Sequence, residues 1–85
     1  MAVITERMKM ATYNGYKNWN HWNVSLWINN DEGLYELARY AIKISVNRYR
    51  ASNHMLWALS EQGITHTPDG APYSKSAIRS AMVGM

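Results

Sequence analysis

Arg48, Arg50, Lys75 and Arg79, with the hydroxyls of Ser74 and Ser76 beside them, are the side chains whose types and spacing point most directly to a chemistry. Guanidinium and ammonium groups neutralise phosphates, and short hydroxyl donors reach phosphates and base edges alike, so this set suits a nucleic acid. The charge distribution agrees. Residues 37–85 hold six cations (Arg39, Lys43, Arg48, Arg50, Lys75, Arg79) against Glu61 and Asp69, whereas residues 1–36 hold Arg7, Lys9 and Lys17 against Glu6, Asp31, Glu32 and Glu36. The basic half is the half that would face a polyanion. The plainer alternative is a solvated surface that happens to be basic.

Groups that enzymes use are dispersed. His21, His54 and His66 stand far apart, none has a partner at the i,i+4 spacing of a helical metal site, and the chain has no cysteine to complete a zinc site. The carboxylates fall at helix starts and turns, where capping accounts for them, and neither a glycine-rich phosphate loop nor a nucleophile elbow is present. The expectation is a protein that is not an enzyme, with no cofactor and no metal.

A second group of candidates comes from residues 14–31, N-G-Y-K-N-W-N-H-W-N-V-S-L-W-I-N-N-D, which hold three of the four tryptophans (Trp19, Trp22, Trp27) and six asparagines. Exposed aromatic rings with interleaved amides could form a patch for a protein partner or for bases, and Tyr13, Tyr16, Trp19 and His21 are the residues expected to face one. Trp22, Leu26 and Trp27 are expected in the core, and the asparagines as caps and turn formers. The stretch resembles the N-G-Y-x-N-x-x-T-W-N-V-x-L-W-I-x-N-D signature of small proteins encoded by phages, plasmids and other mobile elements, with His21 standing where that pattern has Thr. The resemblance implies an origin in a mobile element and no particular activity.

These residues must be positioned by a small scaffold. An 85-residue chain is one domain and buries only a little over ~60% of its unfolded surface, so its core must be rich per residue. With no Phe but four Trp, six Tyr and six Met, it is expected to fill that core with large amphipathic side chains. The absence of cysteine favours a reducing cytoplasm, here that of a host cell. No apolar run approaches the ~20 residues that span a bilayer, so no membrane is expected.

Local signals read as all-α, a single domain at 13–85 behind a flexible extension at 1–12. Tyr13 to Tyr16 form a turn at Gly15, and a helix capped by Asn18 or Asn20 runs to Asn29-Asn30-Asp31. Asp31 to Arg50 reads as one helix, with Leu34, Tyr35, Leu37, Ala38, Ala41, Ile42, Val46 and Tyr49 on its apolar face, acids in its first turns and bases in its last. A third helix, capped by Ser52 or Asn53, stops at Gly63. Pro68-Asp69-Gly70 turns a small loop or hairpin at 64–73, and Ser74 caps a last helix through Met82, with Ala77, Ile78, Ala81 and Met82 inward.

Leu59 to Met82 resembles the helix-turn-helix in the middle domain of large serine recombinases: Leu59, Gly63 and Ile64, then Thr67, Pro68 and Gly70, then Tyr73 and Ser74, and a helix closing with Ile78, Arg79 and Met82. One extra residue lies between Ile64 and Thr67. The resemblance implies a DNA-binding regulator or accessory factor that reads DNA with the helix carrying Ser74, Lys75, Ser76 and Arg79, flanked by Arg48 and Arg50. A helical hairpin held by a proline turn is the structural alternative. The competing functional expectation is a phage-type inhibitor of a host protein or defence complex, similar to anti-CRISPR proteins, acting through Tyr13, Tyr16, Trp19 and His21.

Overall fold

The computed structural model describes residues 15–85. They form α1 (Trp19–Asn30), α2 (Glu32–Ile44), α3 (Arg48–Glu61) and α4 (Lys75–Ala81). No strand occurs among the described residues, whose only pairing of that kind is an isolated antiparallel bridge between His66 and Pro72. The fold is all-α, with the loop at 64–73 where the turn residues place it. Residues 1–12, Tyr13 and Asn14, read as an extension and the start of a turn, lie outside the described residues.

Each helix begins on a side-chain oxygen that satisfies an otherwise unpaired backbone donor. Asn18 accepts from the His21 amide at 2.9 Å, Asp31 from Leu34 at 2.9 Å, Asn47 from Arg50 at 2.9 Å and Ser74 from Ala77 at 3.2 Å. The third cap corrects the expectation of one helix from 31 to 50. Helix α2 ends at Ile44, Ser45 to Asn47 cross over, and Asn47 starts α3 in place of Ser52 or Asn53. Ser52 instead sits inside α3, fully buried, donating its hydroxyl to the Tyr49 carbonyl at 2.7 Å. Val46 and Tyr49, read as inward apolar residues, are 84% and 51% exposed because the break turns them away from the core.

The end of α3 follows the expected stop. Gly63 takes φ 76°, its amide donates to the Ser60 carbonyl at 3.0 Å and the Ile64 amide to Leu59 at 2.9 Å, the paired bonds of a Schellman motif. Beyond it, the Gly70 amide closes the turn onto Thr67 at 2.9 Å, and Tyr73 donates back to Thr65 at 3.0 Å.

Helix α1 packs most extensively on α4, α2 on α3, and the α1/α2 and α3/α4 neighbours close the ring. The core departs from the expected one of large aromatic rings. Ala38, Ala41, Ala51, Ala77 and Ala81 are buried where helices meet, between Val24, Ile28, Met55, Leu59, Ile78 and Met82. Small side chains let the helix axes approach toward the near end of their usual ~8–10 Å spacing, so less bulk is needed at the centre. Leu26 is 38% exposed, and Trp22 and Trp27 are only half-buried. Four inward alanines, Ala38, Ala41, Ala77 and Ala81, do lie on the faces their spacing assigns them.

Candidate functional site

The first turn of α3 carries Arg48, Tyr49 and Arg50, and the first turn of α4 begins at Lys75. Neither first turn holds an acidic residue. Helix packing brings the two together: the Lys75 ammonium and the Arg79 guanidinium each lie 5.8 Å from the centre of the Tyr49 ring. That distance is within the range of cation–π attraction, so the ring holds both cations at a surface it leaves half open. Arg48 reaches across as well, its Nε donating to the Met82 carbonyl at the end of α4 at 3.2 Å. Arg48, Lys75 and Arg79 therefore form one surface. Arg50 does not join it; exposed on α3, it falls on the helical face that continues through His54 and Trp57.

The hydroxyls lead from this surface to α1. Ser74, half-buried as the α4 cap, lies 3.4 Å from the Ser76 hydroxyl, which lies 3.2 Å from His21 Nε2. Burial lowers the His21 pKa, and the positive charges of Lys17 and Arg79 lower it further. His21 thus registers the same cationic field, and residues from the two separate candidate sets border one surface. Tyr16 and Trp19 behave differently. Trp19 packs against the core, and the Tyr16 hydroxyl accepts from Ser25 at 2.7 Å, so both are partly engaged within the fold. Tyr13 lies outside the described residues.

The asparagine and tryptophan run has a structural use that its residue types did not disclose. Asn23, 2% exposed, donates from Nδ2 to Asp69 at 2.9 Å and accepts the Thr67 hydroxyl at 2.6 Å, while Trp27 Nε1 donates to the same Asp69 oxygen at 2.9 Å. Thr67 Oγ1 also accepts from the Ala71 amide at 3.0 Å, and Asn20 donates to the Pro72 carbonyl at 3.2 Å. These bonds clamp the Thr67-Pro68-Asp69-Gly70 turn onto α1 and thereby set where α4 begins. The amide of Asn23 and the indole N–H of Trp27 hold the Asp69 carboxyl below its ordinary range. Asn23 was read as a cap or turn former and is neither.

Away from the basic surface, a groove of about 580 Å³ is lined by Trp27, Leu34, Leu37, Leu59, Ile64 and Tyr73, with Asp31 and His66 among its polar walls. Burial raises the Tyr73 phenol above its ordinary value, and the negative charge of Asp31 adds to the effect. Among the described residues no group of three or more His, Cys, Asp or Glu could hold a metal ion, and no helix is long and apolar enough to cross a membrane. Tyr49 and Lys17 were not anticipated as parts of the site. The Arg-Tyr-Arg run directly after Asn47 was the available signal for Tyr49; Lys17 had only its i,i+4 spacing to His21.

Fold and surface together define a small all-α protein with Arg48, Lys75 and Arg79 brought to one surface beside an exposed tyrosine. Residues 9–85 match a family of unknown function, DUF7249, and the chain belongs to that family. The match begins within the stretch read as an extension. No curated protein and no solved structure matches the chain.

Proposed function

We propose that this chain is a non-enzymatic DNA-binding protein, serving a mobile element as a regulator or accessory factor through α4 and the first turn of α3. The observation that carries the reading is the convergence of Arg48, Lys75 and Arg79 around Tyr49, with Arg48 and Lys75 at helix starts that contain no acid and Arg79 one turn further along α4. Cations at such starts favour phosphate, and Ser76 and Arg79 stand exposed on α4 where a groove edge would lie. The likeness of 59–82 to a recombinase helix-turn-helix supports the same reading, although the α3 to α4 connection runs over residues 62–74, longer than in a compact motif.

The test is the salt dependence of duplex binding. Contacts from Arg48, Lys75 and Arg79 give a log–log slope of about −3, at near −0.9 per neutralised phosphate. Arg79→Ala shallows it by about one unit, or relaxes preference at one base position if it reads a base edge. Duplex affinity no tighter than about millimolar at low salt, well below ordinary non-specific binding, overturns the reading, as does an Arg79→Ala variant indistinguishable from the parent.

A second reading, the inhibitor of a host protein or defence complex, is favoured by one observation. Tyr16, Trp22 and the exposed Leu26 line a shallow depression along α1, where a partner side chain could seat. It expects nuclease-resistant capture of a protein, little salt dependence, and loss of capture in Tyr16→Ala or Leu26→Ala with folding retained.

A further inference from the structure

Helices α2 and α3 present an aromatic surface that the DNA reading leaves unused. Tyr40 and Trp57 are 56% and 59% exposed, and His54 stands between them. The Tyr40 and His54 ring centres are 6.3 Å apart at 54°, and those of His54 and Trp57 6.1 Å apart at 40°. Both distances are within the range at which aromatic rings attract, but tilted rings at this spacing do not cover one another's faces. His54 therefore steadies two large rings while more than half of each stays open to solvent.

The charges around the rings are ordered. Arg39 and Lys43 line an open groove with Tyr40 and Met85, and Arg50 precedes His54 by one turn on the same face of α3. Arg39 is held in place, its Nη1 donating to the Tyr35 hydroxyl at 2.9 Å. Acids occur one turn away in the other direction: Glu36 before Tyr40 on α2 and Glu61 after Trp57 on α3. Lys43 and Arg50 thus flank the rings on the side of the α2 to α3 crossover, and Arg39 stands immediately before Tyr40.

We infer that Tyr40, His54 and Trp57 form a stacking platform for unpaired bases of a single-stranded nucleic acid whose phosphates run along Arg39, Lys43 and Arg50. The inference rests on the nucleic-acid reading above and names a substrate class for it: strands in which bases are free to leave their partners. Charge complementarity selects an anionic ligand, and the open ring faces select one with flat aromatic groups; a strand with unpaired bases has both. In a duplex those faces are already stacked, so the platform discriminates between the two forms while the Arg48, Lys75 and Arg79 surface serves both.

The experiment measures fluorescence anisotropy of a labelled oligothymidylate and a labelled hairpin duplex with the full chain and with Trp57→Leu and Tyr40→Leu, melting curves checking that each is folded. Leucine keeps apolar bulk and removes the ring. The expected result is a loss of single-strand affinity of about tenfold or more in either variant, the size of one base stack, with duplex affinity unchanged. Single-strand affinity unaltered in a folded variant overturns the platform, as does a parent chain that binds the duplex alone; either leaves the duplex reading standing. Binding of neither nucleic acid removes both. Should one variant fail to fold, the other decides.

Discussion

Two polar clusters occur in this molecule, and they use their hydrogen-bonding groups in opposite ways. Around Asp69, the side chains of Asn23, Trp27 and Thr67 direct their bonds at one another and at the turn they hold. Around Tyr49, Lys75 and Arg79 make only a diffuse attraction to the ring, and Arg48 gives one Nε bond to a carbonyl. A group whose bonding capacity is satisfied internally contributes to the fold; a cation left largely unsatisfied at a helix start is available to a ligand. The helix dipole sharpens the contrast. Helix α2 starts on Asp31 and Glu32 and ends near Lys43, each favourable, whereas α3 starts on two arginines, a placement that costs stability.

The largest effect tests the first cluster. Asn23→Ala removes both bonds of a buried amide and strands the Thr67 hydroxyl, so it costs about 2–3 kcal/mol, equivalent to a fall in Tm of roughly 10–20 °C for a domain this size. Thermal denaturation followed by circular dichroism reads it. A Tm within a degree or two of the parent would mean that the turn is held by its own backbone bonds, and the clamp would lose its role.

How much of this was legible depends on whether the cause was local. Asn18, Asp31, Ser74 and Gly63 act on neighbours a few residues away, and their positions identify them as caps and stop. Asn47 is equally local, yet Val46 and Tyr49 continue the apolar period of α2 past it, so the pattern runs on where the helix does not. Asn23 meets Thr67 and Asp69 across the chain, and nothing within a helical turn of it distinguishes it from the neighbouring asparagines. The tryptophans were misplaced for a related reason: residue type records that a ring wants burial, not that alanines already occupy the helix contacts where a ring would sit. At the basic surface the residue types of Arg48, Lys75 and Arg79 were readable, but their meeting at Tyr49 required the packing of α3 on α4.

A smaller effect tests the cationic start of α3, beside the second cluster, through a change of sign. Arg50 is the third residue after its cap, where an acid complements the helix dipole and can return a bond to the Asn47 amide. Arg50→Glu is expected to raise stability by about 0.3–1 kcal/mol while shallowing the salt dependence of single-strand binding by at least about one unit. Glu32→Arg at the start of α2 is the mirror control, expected to lower stability by a similar amount, about 0.3–1 kcal/mol, without weakening DNA. Chemical denaturation and binding titrations on the two variants measure both quantities. If Arg50→Glu lowers stability, the arginine is holding the fold, and the reading of the start of α3 as a placement that costs stability fails.

The smallest effect lies at the border of the two clusters, where His21 contacts Ser76 and feels Lys17 and Arg79. Burial first, and then those cations, place its folded pKa below the ordinary 6.5. As pH falls through 6.5 the unfolded chain takes up a proton that the folded chain still refuses, so stability declines; below the folded pKa both forms are protonated and the decline stops. A bound polyanion acts in the other direction. Phosphates near Lys17 and Arg79 raise the His21 pKa, so DNA affinity increases as pH falls across the same window. The difference between the parent and His21→Gln isolates this residue. The expected outcome is that His21→Gln flattens both curves, the melting temperature and the affinity, which run with opposite slopes in the parent. Parallel slopes, or a variant that flattens only the melting curve, would place His21 in the fold alone and move the edge of the binding surface back to Ser76.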